Sequence, residues 1–334
     1  MKKLILFIFM IFVVTGCNKI GTDDLIKNLN NKIKNSKNYQ IIATLEINRN
    51  EEKFIYDVIS TYKNGGYFKV DLTNKENNHQ QIILRDNKSV YVLTPSLNKS
   101  FKFQSEWPYN NSQIYLLQPI ITDVENDKNS KFEQTKSGYI ITSSVNYTSE
   151  KNFVTQRIYF NSEKNITKVE VLDKEENVKM SLNIVSIEFD VKLEDDLFNV
   201  DKYQKQEPTP KNDTKSNTEN TITSLDEIIY PMYVPAETYL TGQNVVSTDF
   251  GERVILTFSG ESQFTLVQEN PNETENNQYV YGDPYLILDT VGSITDYSVS
   301  WISNGVEYSV MSDSMEIDEL LTVAQSINVK AVGK

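Results

Sequence analysis

From Tyr39 onward the apolar residues recur at every second position, and that period limits the fold more than any other feature of the chain. Ile41, Ala43, Leu45 and Ile47 alternate with polar or smaller neighbours, as do Phe54, Tyr56 and Val58, and then Phe68, Val70 and Leu72. Successive side chains of a strand point to opposite faces, so this spacing builds sheet with one buried face. Further strand-like runs are Gln81–Leu84, Val90–Leu93, Phe101–Phe103, Tyr139–Ile141, Phe153–Phe160, Ile166–Leu172 and Val178–Val191. Turn signals such as Asn64-Gly65-Gly66, Asp86-Asn87 and Ser137-Gly138 separate them. Within the last run, Met180, Leu182 and Ile184 give way to Val185, Ile187, Phe189 and Val191. That one-residue change of phase predicts a β-bulge. So many short strands predict a mainly β, antiparallel sheet, strongly curved or closed.

Three segments depart from the period. Before it, Thr22-Asp23-Asp24 is a helix-start signal, and Leu25, Ile26, Leu29 and Ile33 follow at helical spacing. Within it, Trp107-Pro108-Tyr109 leads into Ile114-Tyr115-Leu116-Leu117-Gln118-Pro119-Ile120-Ile121, which reads as a short helix rich in large apolar residues. Trp107, Tyr109, Ile114, Tyr115, Leu116 and Leu117 are therefore candidates to cover one face of the sheet, either as a fixed plug or as a lid over an apolar cavity. After it, residues 203–223 carry no apolar periodicity and read as a linker, stiffened at Pro208 and Pro210.

A second unit follows. Tyr230-Pro231-Met232-Tyr233-Val234-Pro235 is extended, and strand-like runs lie at Arg253–Phe258, Gln263–Gln268, Tyr285–Leu288, Tyr297–Ile302 and Val306–Met311. Asn304-Gly305 is a strong hairpin signal. Ile317, Leu320, Leu321, Ala324 and Ile327 predict a closing amphipathic helix, giving a small α+β domain. The expected organisation is 1–16 signal peptide, 17–38 anchor and helix, 39–202 β domain, 203–223 linker and 224–334 small α+β domain.

The chain has one cysteine, Cys17. It follows Lys2-Lys3 and the apolar run 4–14, which is too short to span a bilayer but has the flanks of a secretory signal. Val14-Thr15-Gly16-Cys17 resembles the bacterial lipobox, in which the Cys thiol is alkylated by diacylglycerol and cleavage leaves that Cys first. Two acyl chains on Cys17 would hold the protein stably on the extracytoplasmic face of the cell membrane. With Cys17 so modified, no disulfide is possible within the chain.

Loss of Lys2 and Lys3 with residues 1–16 would take the formal net charge from −13 to −15. Such a chain repels nucleic acid, which is not an expected partner. The one histidine, His79, sits among Asn77, Asn78, Gln80 and Gln81 and reads as a solvated turn. It cannot form a multi-His metal site, and no metal or cofactor is expected. G-x-S-x-G, P-loop and H-E-x-x-H patterns do not occur. The cluster Glu194-Asp195-Asp196 lacks apolar flanks and reads as a solvated face. Nothing here supports catalysis.

Gly66-Tyr67-Phe68-Lys69-Val70-Asp71, Gln81-Ile82-Ile83 and Asp86–Pro95 together resemble the LolA/LolB/RseB lipoprotein-carrier superfamily, and Asp195-Asp196-Leu197-Phe198 looks like the end of its domain. The run VYVLTPSLNKSFKFQSEWPYN, residues 90–110, is similar to sporulation and germination lipoproteins of the GerS and YdcC types. The part from Tyr230 to Ile327 is similar to a small domain of unknown function that follows LolA-like domains in sporulation proteins. The resemblance implies an open, half-closed antiparallel β-barrel with helices as a lid. It implies a non-catalytic binding or scaffold protein with an exported protein partner, which the GerS type suggests is a cortex-modifying amidase. The alternatives it leaves open are a lipid or lipoprotein acceptor holding an acyl chain, as in LolB, and an RseB-like envelope regulator. Carriers link an Arg of their first strands to the lid; that Arg has no clear match here, Arg49 and Arg85 being the nearest candidates, and an anchor at Cys17 departs from a carrier that shuttles.

Overall fold

The computed structural model describes residues 20–49, 52–95, 99–147, 150–203, 225, 227–271 and 278–327. The signal segment, Cys17 and residues 204–223 of the expected linker lie outside these. No helix among the described residues is long and apolar enough to cross a membrane.

Helix α1 (Thr22–Asn35) begins where Gly21 donates its N–H to the Asp24 carboxylate at 3.1 Å. Asp23 and Asp24 oppose the partial positive charge of its first turn. Leu25, Ile26, Leu29 and Ile33 are its buried stripe. The chain then runs through β1 (Asn38–Arg49), β2 (Glu52–Lys63), β3 (Tyr67–Asn74), β4 (Gln80–Arg85), β5 (Val90–Thr94) and β6 (Lys99–Phe103). Helix α2 (Leu117–Asn126) intervenes before β7 (Lys131–Gln134), β8 (Gly138–Ser144), β9 (Thr155–Asn161), β10 (Ile166–Leu172) and β11 (Val178–Phe189). The helix expected in the apolar segment thus starts only at Leu117. Residues 107–116 are irregular.

β12 (Thr238–Thr248), β13 (Gly251–Gly260) and β14 (Phe264–Glu269) follow, then β15 (Gln278–Val280), β16 (Asp283–Ile287), β17 (Thr290–Ile294), β18 (Ser298–Ser303), β19 (Val306–Met311) and α3 (Ile317–Gln325). The first sheet has twelve strands in the order β15-β6-β5-β4-β3-β2-β1-β11-β10-β9-β8-β7, and the second has seven in the order β12-β13-β14-β19-β18-β17-β16. Among the described residues neither sheet closes on itself and helices are few, which makes an open, barrel-like α+β fold.

The phase change in β11 is a bulge. Ile42 pairs with Ser186 and Ala43 with Ile184, leaving Val185 as the extra residue, 74% exposed. Tyr39, Ile41, Ala43, Leu45 and Ile47 of β1 all face one side of the first sheet, called here the inner face, where they join the stripe of α1 and Ile120, Ile121 and Val124 of α2 in one core. The opposite face carries a small cluster of Ile82, Leu84, Tyr91 and Leu93, packed against Val200 and Tyr203. Tyr203, expected to open the linker, is therefore half-buried, with its hydroxyl donating to the Leu197 carbonyl at 2.7 Å.

In the second sheet, Val254, Leu256, Leu266, Val299 and Val310 form the face covered by Leu320, Leu321, Val323 and Ala324 of α3. Asn304 and Gly305 both take positive φ, +49° and +79°, as a type I′ turn requires. The two sheets are joined by more than the connection between them. β15 leaves the C-terminal half of the chain and adds to the first sheet, parallel to β6, with Tyr279 opposite Lys102 and Val280 opposite Phe103.

Candidate functional site

The inner face of the first sheet is the candidate site, and two covers close it. The first is the apolar segment. Trp107, Ile114, Tyr115, Leu116 and Leu117 are all buried, Trp107 completely. Tyr109 differs from expectation: it is 57% exposed, with its ring edge-on to Phe68 and beside the Arg85 guanidinium, 5.3 Å from ring centre to Cζ. An aromatic ring that meets a cation can stay partly in water, and so Tyr109 need not be buried.

Side chains from the strands fix this cover in place. Arg85 Nη1 donates to the Trp107 carbonyl at 2.6 Å, so Arg85 does link a strand to the cover. Tyr39, at the start of β1, accepts the Leu117 N–H at 3.2 Å and donates to Gln118 Oε1 at 2.5 Å, serving the N-terminus of α2 in place of a cap. Burial pushes the Tyr39 phenol far up, so this hydroxyl stays protonated. Gln156 of β9 reaches the Ile120 carbonyl at 3.3 Å and Ser143 Oγ at 3.0 Å. Asn30 of α1 donates to Glu125 at 2.6 Å.

The second cover comes from the other end of the chain. The β16–β17 hairpin lies on the inner face, and Leu286 and Val291 enter the first core. Three inner-face polar side chains hold its backbone. Arg49 Nη2 donates to the Tyr285 hydroxyl at 2.8 Å and contacts the Leu286 carbonyl at 3.4 Å. Tyr56 donates to the Leu288 carbonyl at 2.9 Å. Gln81 donates to the Val291 carbonyl at 3.2 Å and accepts the Val291 N–H, so that one amide holds both polar groups of one residue. Arg49 also pairs with Glu150 at 2.9 Å, and the Tyr285 hydroxyl donates to that same carboxylate. Burial drives the Tyr285 phenol well above its usual value, against the pull of Arg49. Ser105 and Asn110, at the start of the first cover, both donate to Asp283 of the hairpin, Asn110 at 2.6 Å, so the two covers are tied together.

Between the covers there remains a cavity of about 50 Å³, lined by Leu45, Ile47, Tyr115, Tyr147, Met180 and Tyr285 among others. Ligand pockets enclose roughly 300–1,000 Å³. Between the two covers, the inner face is filled by the protein's own side chains.

Sequence reasoning named Arg49 and Arg85 without giving either a partner. It missed Glu150, Tyr56, Gln81 and the docking of the hairpin. One signal was available: Arg49 continues the phase of Ile41 to Ile47, and a charge at an inward position of a strand demands a buried partner. His79 lies in the β3–β4 turn as expected, but half-buried. That burial lowers its proton affinity, opposed by Asp289. Glu194 and Asp196 sit at the surface, both bridged by Lys202. Cys17 lies outside the described residues. Among those residues no group of three or more His, Cys, Asp or Glu is placed to hold a metal ion.

No family model matches the chain. Among solved structures it is similar to the Pseudomonas aeruginosa MucA/MucB complex, at 10% identity over 92% of this chain and 100% of that one, with a TM-score of 0.32. It is also similar to a chain of the Clostridioides difficile CwlD amidase in complex with the GerS lipoprotein, at 20% identity over 51% of this chain and 97% of that one, with a TM-score of 0.31. Among curated proteins it is 30% identical to the sporulation protein YdcC of Bacillus subtilis (strain 168) over an alignment 330 positions long, which covers 95% of this chain and 93% of the relative. With that identity along almost the whole of both chains, this protein belongs to the family of the sporulation protein YdcC.

Proposed function

We propose that this protein is a lipid-anchored lipoprotein of the spore-forming cell's envelope, that it acts without catalysis, and that it holds an exported protein partner on the extracytoplasmic face of the membrane. The observation that carries this reading is the filled inner face. Arg49, Tyr56 and Gln81 on that face are occupied by the protein's own β16–β17 hairpin. The space left between the two covers has no room for an acyl chain, which speaks for the scaffold reading over the lipid acceptor. The sporulation role draws support from the relative's name. The lipobox at Cys17 supports the anchor, and the resemblance of residues 90–110 to GerS-type lipoproteins supports a cortex-modifying amidase as partner.

The test has two arms. Cys17→Ala should move the protein from the membrane pellet to the soluble fraction; a variant that still pellets and resists salt washing would overturn the anchor. The wild-type protein should yield acyl chains only from its N-terminal peptide. Acyl chains recovered non-covalently from the folded protein would overturn the scaffold reading and favour lipid or lipoprotein reception.

A further inference from the structure

The second sheet has two unlike faces. One is apolar and lies under α3. On the other, the pairing registers place Thr257 opposite Thr265, Thr265 and Ser298 opposite Met311, and Ser300 opposite both Ser309 and Ser293. Five adjacent strands therefore present short hydroxyl side chains on one surface. Serine is not among the residues that strands favour, and propensity does not account for this choice. Its consequence is geometric: short side chains leave a trough.

That trough comprises two adjoining hollows, of about 300 and 390 Å³, both bounded by Tyr297. The first lies where the two sheets meet, a usual place for a ligand site. Phe101, Phe103 and Val280 form its wall on the side of the first sheet. Tyr279, Tyr281 and Tyr297 stand along the rim and are 66%, 74% and 61% exposed. Three large rings so exposed around one hollow exceed what a solvated surface needs.

We propose that this face binds a neutral, β-1,4-linked glycan strand. The rings offer flat apolar surfaces for the C–H faces of sugar rings, with their own hydroxyls still in water. The floor hydroxyls pair with one another, Ser300 with Ser309 at 2.8 Å and Ser298 with Thr295 at 2.7 Å, so each pair keeps one O–H to donate and lone pairs to accept, matching a ligand whose polar groups do both. A β-1,4 strand is flat and extended, and could run through both hollows past Tyr297, which bounds each. An extended peptide fits poorly, because the floor's backbone groups are already paired within the sheet and have none to spare for another main chain. An anion is disfavoured by the protein's net charge of −13, even with Lys102 placed 5.3 Å from the centre of the Tyr279 ring. This inference stands apart from the exported partner and would survive the failure of that reading.

The test is calorimetric titration of the detergent-solubilised full chain with cellohexaose and with chitohexaose. Saturable binding to at least one is expected. Tyr279→Ala, Tyr281→Ala and Tyr297→Ala should each weaken it by about three- to tenfold, the size of a lost aromatic contact. Tyr230→Ala, at an exposed tyrosine outside the trough, should leave it unchanged. Because the three rings are exposed, these variants should keep the wild-type circular dichroism and melting midpoint. Ser300→Leu, which fills the floor, should abolish binding. Silence with both oligosaccharides would overturn the proposal, as would binding that the triple tyrosine variant retains or binding of an unstructured peptide alone.

Discussion

Arg49 and Glu150 meet at 2.9 Å with their side chains 8% and 16% exposed, and Tyr285 from the far end of the sequence is hydrogen-bonded to both. A charge taken out of water must be compensated, and here each of the three groups depends on the other two. Arg49→Met leaves Glu150 buried without its cation. The expected loss is about 3–5 kcal/mol of stability, read from urea unfolding. Replacing both partners with Arg49→Met and Glu150→Leu should restore much of that loss, because an apolar pair has no charge to compensate. A double variant as unstable as the single one would show that the lost packing, not the stranded carboxylate, sets the cost.

Asp123 of α2 is the carboxyl whose titration should be visible in the stability of the first cover. Burial pushes its pKa up to about 6, only partly opposed by a hydrogen bond with Ser112. A raised carboxyl pKa means that the folded state binds the proton more tightly than the unfolded chain, whose Asp titrates near 3.8. The contribution to stability is fully present below that lower value, declines as pH rises through the window from about 4 to 6, and is gone above it. Asp123→Asn should therefore raise the unfolding midpoint at pH 7.5 relative to the wild type and change it little at pH 4. A wild-type to variant difference that is flat across this window would refute the assignment.

How much of this was legible in the sequence depends on distance along the chain. The inward set Ile41 to Ile47 and the bulge at Val185 were readable because a strand writes its two faces into consecutive residues. The Asn304-Gly305 turn was readable because two positive φ angles in succession select those residue types. β12 was not, because its residues are exposed on both faces as an edge strand and no alternation results. β15 is three residues long and exists only through its pairing with β6. The docking of the hairpin was hidden for the same reason: Arg49 and Tyr285 are 236 positions apart, and no local pattern links them. In the apolar segment Trp107, Ile114, Tyr115, Leu116 and Leu117 are buried, whereas Tyr109 follows its cation and not its hydrophobicity.

Leu116 is completely buried at the entrance to α2, inside the core that the cover shares with the sheet. Leu116→Ala should cost about 2–5 kcal/mol, since the surrounding rings and strands cannot collapse fully into the space. The residual cavity is small, about 50 Å³, and Tyr285 and Leu286 line it, so the variant should gain no affinity for a hydrophobic dye such as a naphthalene sulfonate. A rise in dye uptake without a fall in stability would mean that the cover opens as a lid.

Limited proteolysis should separate connection from contact. Residues 204–223 have the composition of a linker, and we propose them as the boundary between two folding units, with cleavage expected there. The structure adds what should follow. Because β15 pairs with β6 and the hairpin is held by Arg49, Tyr56 and Gln81, the two fragments should co-elute on gel filtration after the cut. Arg49→Met combined with Gln81→Ala removes two of the three polar holds, and in that protein moderate urea should part the fragments before either unfolds. Fragments that separate at once in the wild type would contradict the docked hairpin, and a chain that resists cleavage throughout 204–223 would contradict the boundary.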